Sequence, residues 1–212
     1  KEREVVGIYI SAHPLDDYLR EIKNFTSTGL SSLNDLNQII NKDLYVGGII
    51  NEVEHLQTKT GNGFAVFSFE DFNDQYQFRI FGEDYLKYKH LLEENKILRL
   101  RLSIREGWVN RETGRVGDPR IQFLNMELLD GIIDSSSKKI TLKIDSNTLN
   151  LEEVKKLKKI LSKHKGSKPV YFDILDVKNE FKLNMISQQT KVSITKDLLL
   201  SLEKEEFSYK LN

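Results

Sequence analysis

The sequence predicts a mainly β protein with an α+β tail: a five-stranded barrel, preceded by a helical segment and followed by a small α+β domain. Apolar and polar residues alternate with period two in five segments between residues 43 and 130, as in strands that bury one face. A segment of helical periodicity separates the third of these strands from the fourth. Beyond residue 138, short strand-like and helical segments are mixed, which predicts a second domain of a different class.

Residues 1–42 predict a helical segment and a connector. Apolar residues recur at helical spacing on both sides of a break at residues 11–14, and Pro14 suits the first position of the second helix. Asp16 and Asp17 then fall in the first turn of that helix, where the helix dipole favours carboxylates. Residues 26–42 are rich in Ser, Thr and Asn, so we expect a connector there with one short helical turn.

Residues 43–130 predict the barrel. The paired glycines Gly47 and Gly48 suit a coiled or bulged first strand, and residues 58–63 have the composition of a tight turn. The strands are expected at residues 44–56, 64–69, 76–81, 96–108 and 121–129, and the helix at 83–94. Three strands, a helix and two strands is the element order of the OB-fold. We therefore expect an OB-fold domain of the nucleic-acid-binding type.

Residues 131–137 predict a linker, and residues 138–212 a small α+β C-terminal domain. Strands are expected at 139–144, 170–177, 181–186 and 192–194, and helices at 151–161 and 196–207. The charge also changes at this boundary: residues 43–130 carry 11 basic and 15 acidic side chains, whereas residues 138–212 carry 16 and 10. The net charge of the whole chain is zero. This asymmetry indicates two modules with different surroundings.

The composition excludes several classes of active site. The absence of cysteine removes thiolate nucleophiles and Cys-ligated metals, and it fits a reducing, cytoplasmic setting. The four histidines are far apart, and no phosphate-binding glycine loop or hydrolase motif occurs. Neighbouring carboxylates such as Glu70 and Asp71 would point to opposite faces of a strand. We expect no catalytic residue, no metal site and no cofactor in this chain.

Two further features concern the membrane and the length of the parent protein. No apolar run approaches the ~20 residues that span a bilayer, so no membrane partner is expected. The chain begins with Lys1 rather than Met, so we expect it to be part of a longer protein.

The strongest functional pattern lies on the fourth predicted strand. Leu98, Leu100, Leu102 and Ile104 would face the barrel interior, and the alternate positions would face outward. This outward set, the arginine row, consists of Arg99, Arg101, Ser103 and Arg105. The row is compatible with a solvated barrel exterior or with a rail for the phosphates of nucleic acid.

The nucleic-acid hypothesis adds residues from the first loop and from the loop between the last two strands. These loops flank the face that OB-folds use for oligonucleotides. The added cations are Lys59, Arg111, Arg115 and Arg120. Phe67, Phe69, Tyr76 and Phe78 offer rings for base stacking, although about half of them must belong to the core. The excess of acidic residues in this module argues against tight binding that ignores sequence.

The tail offers a pattern suited to a protein partner. Seven lysines lie between residues 155 and 168, typical of a solvated helix face and also suited to an acidic partner. Lys155 and Lys159 would steer such a surface, and Leu198, Leu202 and Phe207 would supply exposed apolar anchors.

Two stretches carry a family resemblance. Residues 1–18, KEREVVGIYISAHPLDDY, resemble a signature of bacterial DNA polymerase III alpha subunits, E-[KR]-E-x-[LV]-G-x-Y-[LI]-[ST]-G-H-P-L, with Ala12 in place of the usual Gly. Residues 58–71, followed by Phe81, Tyr85 and Tyr88, resemble the family pattern T-K-x-G-x-x-[MIF]-x-x-x-x-[LF]-x-D…F…Y. The resemblance covers about residues 1–130, and the tail matches in position, size and element order.

This resemblance implies a C-terminal region, made of an OB domain and a tail that binds the tau subunit of the clamp loader. The parent protein would be a DNA-directed DNA polymerase using magnesium ions held elsewhere. This chain would contact single-stranded template DNA, the tau subunit and other replicase subunits, and would have no active site of its own. Two alternatives are a free-standing OB-fold protein that binds single-stranded nucleic acid or tRNA, and an adaptor that binds only proteins.

Overall fold

A computed structural model describes residues 13–109, 112–176 and 181–212. The chain forms two compact units, Lys1–Asp130 and Gly131–Asn212, which are treated separately below. The helix expected over the first ten residues and the loop residue Arg111 lie outside the described residues. No described helix has both the length and the apolar character needed to cross a bilayer.

The first unit contains a five-stranded antiparallel sheet with the strand order β3-β2-β1-β4-β5. Among the described residues it is accompanied by two short α-helices, α1 (Leu19–Phe25) and α2 (Gly82–Tyr88). Single 3₁₀ turns lie at Asp16–Tyr18, Leu30–Asn34, Leu36–Ile39 and Lys89–Leu91. The strands are β1 (Asp43–Gln57), β2 (Gly63–Glu70), β3 (Gln75–Phe81), β4 (Ile97–Arg105) and β5 (Arg120–Leu128). The five predicted strands and the helix after β3 are confirmed, with shifted ends.

The sheet curls around an aromatic core. Phe67, Phe69 and Phe78 are fully buried, and the ring of Phe78 lies 5.6 Å from that of Phe123. The two edge strands of the sheet, β3 and β5, therefore pack against the same core. Among the described residues, however, no ladder of hydrogen bonds joins β3 to β5, so the sheet is not a closed barrel.

The glycine pair on β1 makes this curl possible. A Cβ on Gly48 would lie 2.3 Å from the carbonyl oxygen of Glu70, so only glycine lets β2 approach so closely. The β1–β2 register also shifts between Ile50 and Glu52, which is the bulge expected beside such a pair.

The segment His13-Pro14-Leu15 packs against the first unit at the start of the described residues. The imidazole Nδ1 of His13 accepts a hydrogen bond from Leu15 N at 3.1 Å, and its ring lies 4.9 Å from that of Phe72. Leu15 is completely buried. The described end of the first resembling stretch, His13 to Leu15, therefore packs against the first unit.

Helix α2 is shorter than predicted. It ends at Tyr88 and is followed by a 3₁₀ turn, because Leu92 turns into the core and its carbonyl oxygen lies 3.1 Å from His55 Nε2. The chain then reverses through Asn95, which adopts a positive φ of 64°.

The second unit is a four-stranded mixed sheet with the order β8-β7-β6-β9. Its strands are β6 (Ile140–Asp145), β7 (Lys165–Asp176), β8 (Phe181–Val192) and β9 (Ser208–Leu211). Its helices are α3 (Ile132–Ser136), α4 (Leu151–Lys163) and α5 (Lys196–Lys204). Strands β6 and β7 are parallel, as expected for strands joined by a helical crossover such as α4.

Three details of this unit differ from the predictions. Residues 131–137, expected as a linker, hold α3, and its Ile132 and Ile133 are buried. The short strand expected at 192–194 does not form: Val192 is the last residue of the longer β8, and residues 193–194 lie outside any strand. The last helix ends at Lys204 because Glu206 takes a positive φ of 60°, and β9, which no pattern announced, follows.

Candidate nucleic-acid interface

Strand β4 has the predicted two-sided pattern. Leu98, Leu100, Leu102 and Ile104 are all completely buried, so the alternate positions of the arginine row face away from the core. The row is not a bare exterior, however.

Arg99 is held by bonds within the first unit. Its Nη2 donates to Glu127 Oε1 at 2.7 Å, and its Nη1 donates to the carbonyl oxygen of Phe25 at 3.3 Å. The guanidinium also lies 5.0 Å from the centre of the Tyr45 ring. With only 12% of its side chain exposed, Arg99 joins α1 to β4 and β5.

The rest of the arginine row varies in exposure. Arg101 Nη2 donates to Asp43 Oδ2 at 2.9 Å, Ser103 is buried, and Arg105 is exposed. The Ser103 hydroxyl and the Arg101 guanidinium beside Asp43 lower the pKa of that carboxyl. This outward face therefore carries packing, because Phe25 of α1 and the Tyr45 ring lie against Arg99.

The predicted loop cations that the structure describes occupy exposed positions. Lys59 lies in the turn between β1 and β2, and Arg115 in the loop between β4 and β5. The Arg120 guanidinium stacks 3.9 Å from the centre of the Trp108 ring, and Arg120 Nε donates to Glu106 O at 3.3 Å. Trp108 is 75% exposed and was not among the predicted stacking residues.

The proposed stacking rings belong mostly to the core. Phe67, Phe69 and Phe78 are buried, and Tyr76 is half-buried, with a pKa raised by that burial. The three phenylalanine rings are therefore not available to bases, whereas Tyr76 lines an open cleft on the surface.

A different set of apolar side chains is exposed on the opposite face of the same strands. Leu56 pairs with Phe64, and Phe64 pairs with Phe81, so the three residues form one line across β1, β2 and β3, here called the apolar row. The rings of Phe64 and Phe81 stack 4.9 Å apart at 15°. Phe81 is 51% exposed and Leu56 39%.

Strand alternation could have identified this row. Phe64 has the same parity as the polar Ser68 and Glu70, and Phe81 the same parity as Gln77 and Arg79. Two aromatic residues on a polar face are a stronger sign of binding than aromatic residues on an apolar face.

The charges on this face are divided. Glu52 and Glu54 on β1 are exposed and lie opposite Ser68 and Val66, whereas Arg79 on β3 lies on the other side of Val66. Gln77 and Arg79 also line a surface cleft of about 370 Å³ that includes Pro119 and Ile121, at the start of β5. The cationic side of the face is therefore the side towards β3 and β5.

The carboxylates of this unit have structural partners. Asp71 Oδ2 accepts from Leu30 N at 2.6 Å, and its Oδ1 accepts from Asn73 N and Asp74 N at 2.8 Å. Glu70 instead contacts Asn51 and lies 3.8 Å from His13 Nε2. The two neighbours point apart as predicted, and no group of metal-ligating side chains occurs among the described residues.

The tail residues predicted to bind a partner fall into two classes. Lys155 and Lys159 are exposed on α4, as expected. Leu198 and Leu202 are completely buried, so their prediction as exposed anchors is wrong: α5 turns this apolar face into the core of the second unit. Phe207 is half-buried after the helix end.

Comparison with known proteins gives consistent matches. Residues 140–212 match the family model described as DNA polymerase III alpha subunit, C-terminal domain. The chain is 30% identical over 191 residues to the DNA polymerase III subunit alpha of Borreliella burgdorferi, covering 88% of this chain and 16% of that protein. The corresponding protein of Bacillus subtilis is 26% identical over 172 residues, covering 80% of this chain and 14% of that protein.

A third relative, the DNA polymerase III subunit alpha of Saccharopolyspora erythraea, is 24% identical over 204 residues, which is 95% of this chain and 16% of that protein. The chain thus spans about one sixth of the length of these relatives. Its matches run through both units, and the family model for the C-terminal domain coincides with the second. The chain therefore belongs to the DNA polymerase III alpha subunit family and corresponds to its C-terminal region.

Proposed function

We propose that this chain is the C-terminal part of a replicative DNA-directed DNA polymerase and that its first unit is an OB-type module that binds single-stranded template DNA. The polymerase chemistry, with its magnesium ions, would belong to other parts of the protein. The complex would work in the cytoplasm with the remaining replicase subunits.

The observation that carries the DNA proposal is the apolar row. A stacked pair of aromatic rings on a polar sheet face, with Phe81 51% exposed and Phe64 half-buried beside it, provides a surface on which unpaired bases can stack. The strand order β3-β2-β1-β4-β5, with Phe78 of β3 against Phe123 of β5, supports an OB-type curl that leaves β2 and β3 accessible.

Charge gives the path of the strand an orientation. Phosphates would be repelled by Glu52 and Glu54 and attracted by Arg79, so the DNA backbone would run on the β3 side of the apolar row. Lys59, Arg115 and Arg120 would extend this cationic side through the two flanking loops. Arg99 and Arg101 contribute less in this proposal, because each is paired with a carboxylate.

Binding of fluorescent oligo-dT, followed by anisotropy, tests the proposal. The double substitution Phe64→Ala/Phe81→Ala should weaken binding by about tenfold or more, since each stacked base contributes roughly 1–3 kcal/mol. Leu19→Ala is the matched control: Leu19 is 53% exposed on α1, and its removal should leave affinity unchanged. Equal binding by the double variant and the control would reject the apolar row as the DNA site.

For the second unit we propose that it binds the tau subunit of the clamp loader. The match to the C-terminal domain family and the exposed lysines of α4 support a partner-binding role. Replacing Lys155 and Lys159 together by Glu should reduce capture of tau and leave oligo-dT binding within about twofold. Unchanged capture would exclude this lysine face from the contact.

A further inference from the structure

An open apolar groove lies within the second unit, between α4 and the two-stranded ribbon of β7 and β8. Its volume is about 850 Å³. Val154, Leu157 and Leu161 of α4 form one side. Phe172, Ile174 and Met185 form the sheet side, and they share a face because Phe172 pairs with Met185 and Ile174 with Leu183.

This groove is a gap in a layer of helices. An apolar sheet face is normally buried by a helix packed on it. Helix α4 covers part of the face, but Val154 is 43% exposed and Met185 42%. Leu183, on the same face as Met185, is 36% exposed. The uncovered strip beside α4 has the position that one more helix would occupy.

The rim of the groove is cationic and one wall is polar. Lys158, Lys165 and Lys191 line it, and none of the lining residues that the structure describes is Asp or Glu. The β7–β8 register shifts between Pro169 and Tyr171, which pair with Lys191 and Ile186. The extra residues of β8 in between, 187–190, bulge towards α4 and supply the amide side chains of Gln188 and Gln189.

We propose that this groove binds an amphipathic helix of a partner protein, with apolar side chains against β7, β8 and α4 and with Asp or Glu residues at the lysine rim. The proposal rests on the proposed protein-binding role of the second unit and names the chemistry of the partner segment. A helix fits because the gap adjoins α4, and two packed helices usually have their axes about 8–10 Å apart. The acidic character follows from the three rim lysines without an opposing carboxylate in the lining.

The test uses the whole chain and designed fluorescent peptides of about 18 residues, or five helical turns. One peptide has a leucine face and a glutamate face, a second has lysine in place of glutamate, and a third has the acidic composition in scrambled order. The acidic amphipathic peptide should bind most tightly. Met185→Glu should weaken the binding of this peptide by about tenfold, because a carboxylate would enter the apolar groove.

Ile186→Glu is the matched control, since Ile186 is 51% exposed on the same strand but on the opposite face of the sheet. It should change affinity by less than about twofold. The pair Lys158→Glu/Lys191→Glu alters exposed rim residues that do not pack in the core. This pair should reverse the preference, so that the lysine peptide binds better than the glutamate peptide.

Equal affinity of Met185→Glu and Ile186→Glu for the acidic peptide would overturn the proposal. Equal binding of the scrambled and the ordered acidic peptides would also overturn it. An unchanged preference for the glutamate peptide in Lys158→Glu/Lys191→Glu would do the same, and this double variant tests the groove even if Met185→Glu perturbs folding. Tau capture by the same variants distinguishes failure of the groove from failure of the proposed partner binding. Loss of tau on Lys155→Glu/Lys159→Glu with retention on Met185→Glu would uphold the role of the unit and reject the groove.

Discussion

The arginine row of β4 and the apolar row of β1, β2 and β3 lie on the same sheet and contrast in sequence and in structure. In sequence the arginine row is conspicuous, because three arginines alternate with four buried aliphatic residues. In the structure its first two arginines are engaged: Arg99 with Glu127 and the Phe25 carbonyl, and Arg101 with Asp43. The apolar row is inconspicuous in sequence, yet Phe81 and Leu56 are exposed.

The alternation of apolar and polar residues therefore indicates which side of a strand faces outward, but it does not indicate which other elements cover that side. Arg99 is 28 residues from Glu127 and 74 from Phe25, so its partners become visible only when α1 and β5 are placed on β4. The apolar row joins residues from three strands in the same way, through cross-strand pairing. We therefore propose a stabilising role for most of the arginine row and DNA contact for the apolar row.

The largest expected effect that sharpens this contrast is that of Arg99→Ala on stability. Removing the guanidinium takes the ion pair from Glu127, which retains the Asn125 amide, and takes the Arg99 donor from the Phe25 carbonyl, so the free energy of unfolding should fall by about 2 kcal/mol. Thermal unfolding measures it, with Arg105→Ala as the control on an exposed member of the row.

Arg99→Lys distinguishes a stabilising role of Arg99 from a role in binding phosphates. Lysine retains a charge for phosphates but cannot donate to Glu127 and to the Phe25 carbonyl in the same geometry. We expect lower stability with little change in oligo-dT affinity per folded molecule. Normal stability together with altered DNA affinity would instead make Arg99 part of a phosphate rail.

A smaller effect is expected for Arg79→Ala on β3, beside the apolar row. Loss of one phosphate contact should weaken oligo-dT binding about three- to fivefold and reduce the log–log salt slope by about 0.7. Salt titration of this variant measures the slope, and Arg105→Ala should leave it unchanged. If the slope falls in Arg105→Ala and not in Arg79→Ala, the phosphates follow β4 and the comparison is reversed.

The smallest effect concerns pH and the exposed pair of Asp43 and Arg101. Because the folded-state pKa of Asp43 is lowered, the ionised carboxylate contributes stability that is present above the ordinary pKa of 3.8 and is lost as the pH falls from there through the lowered folded-state pKa. Asp43→Asn should therefore melt slightly below the parent chain at pH 7, and the difference should shrink steadily as the pH is lowered below 3.8. A difference in melting temperature that does not shrink with acidification would show that Asp43 acts through packing instead of charge.

The strands of the first unit were predictable because each has one buried and one polar face. The alternation located Leu98 to Ile104 in the core, and the glycine pair announced the close approach at Gly48. The end of α2 was not predictable, since it depends on the contact between His55 and the Leu92 carbonyl, which are 37 residues apart.

Predictions for the tail were likewise limited because contacts between distant residues are not visible in the sequence. The leucines of α5 form an apolar stripe that suits either a core or a docking surface, and the structure buries Leu198 and Leu202. Strand β9 gave no signal because four residues are too few to show a period, and its place is set by pairing with β6. The groove beside α4 depends on the bulge in β8, a register feature that sequence does not display.

Amide chemical-shift mapping of the whole chain with oligo-dT tests the central assignment most directly. The account predicts that shifts concentrate at Leu56, Phe64, Arg79 and Phe81, with smaller changes in the turn that contains Lys59. The amides of Arg99, Arg101 and Arg105 should stay near their free positions. Shifts concentrated on β4, with the apolar row unmoved, would contradict the assignment and return the arginine row to the DNA interface.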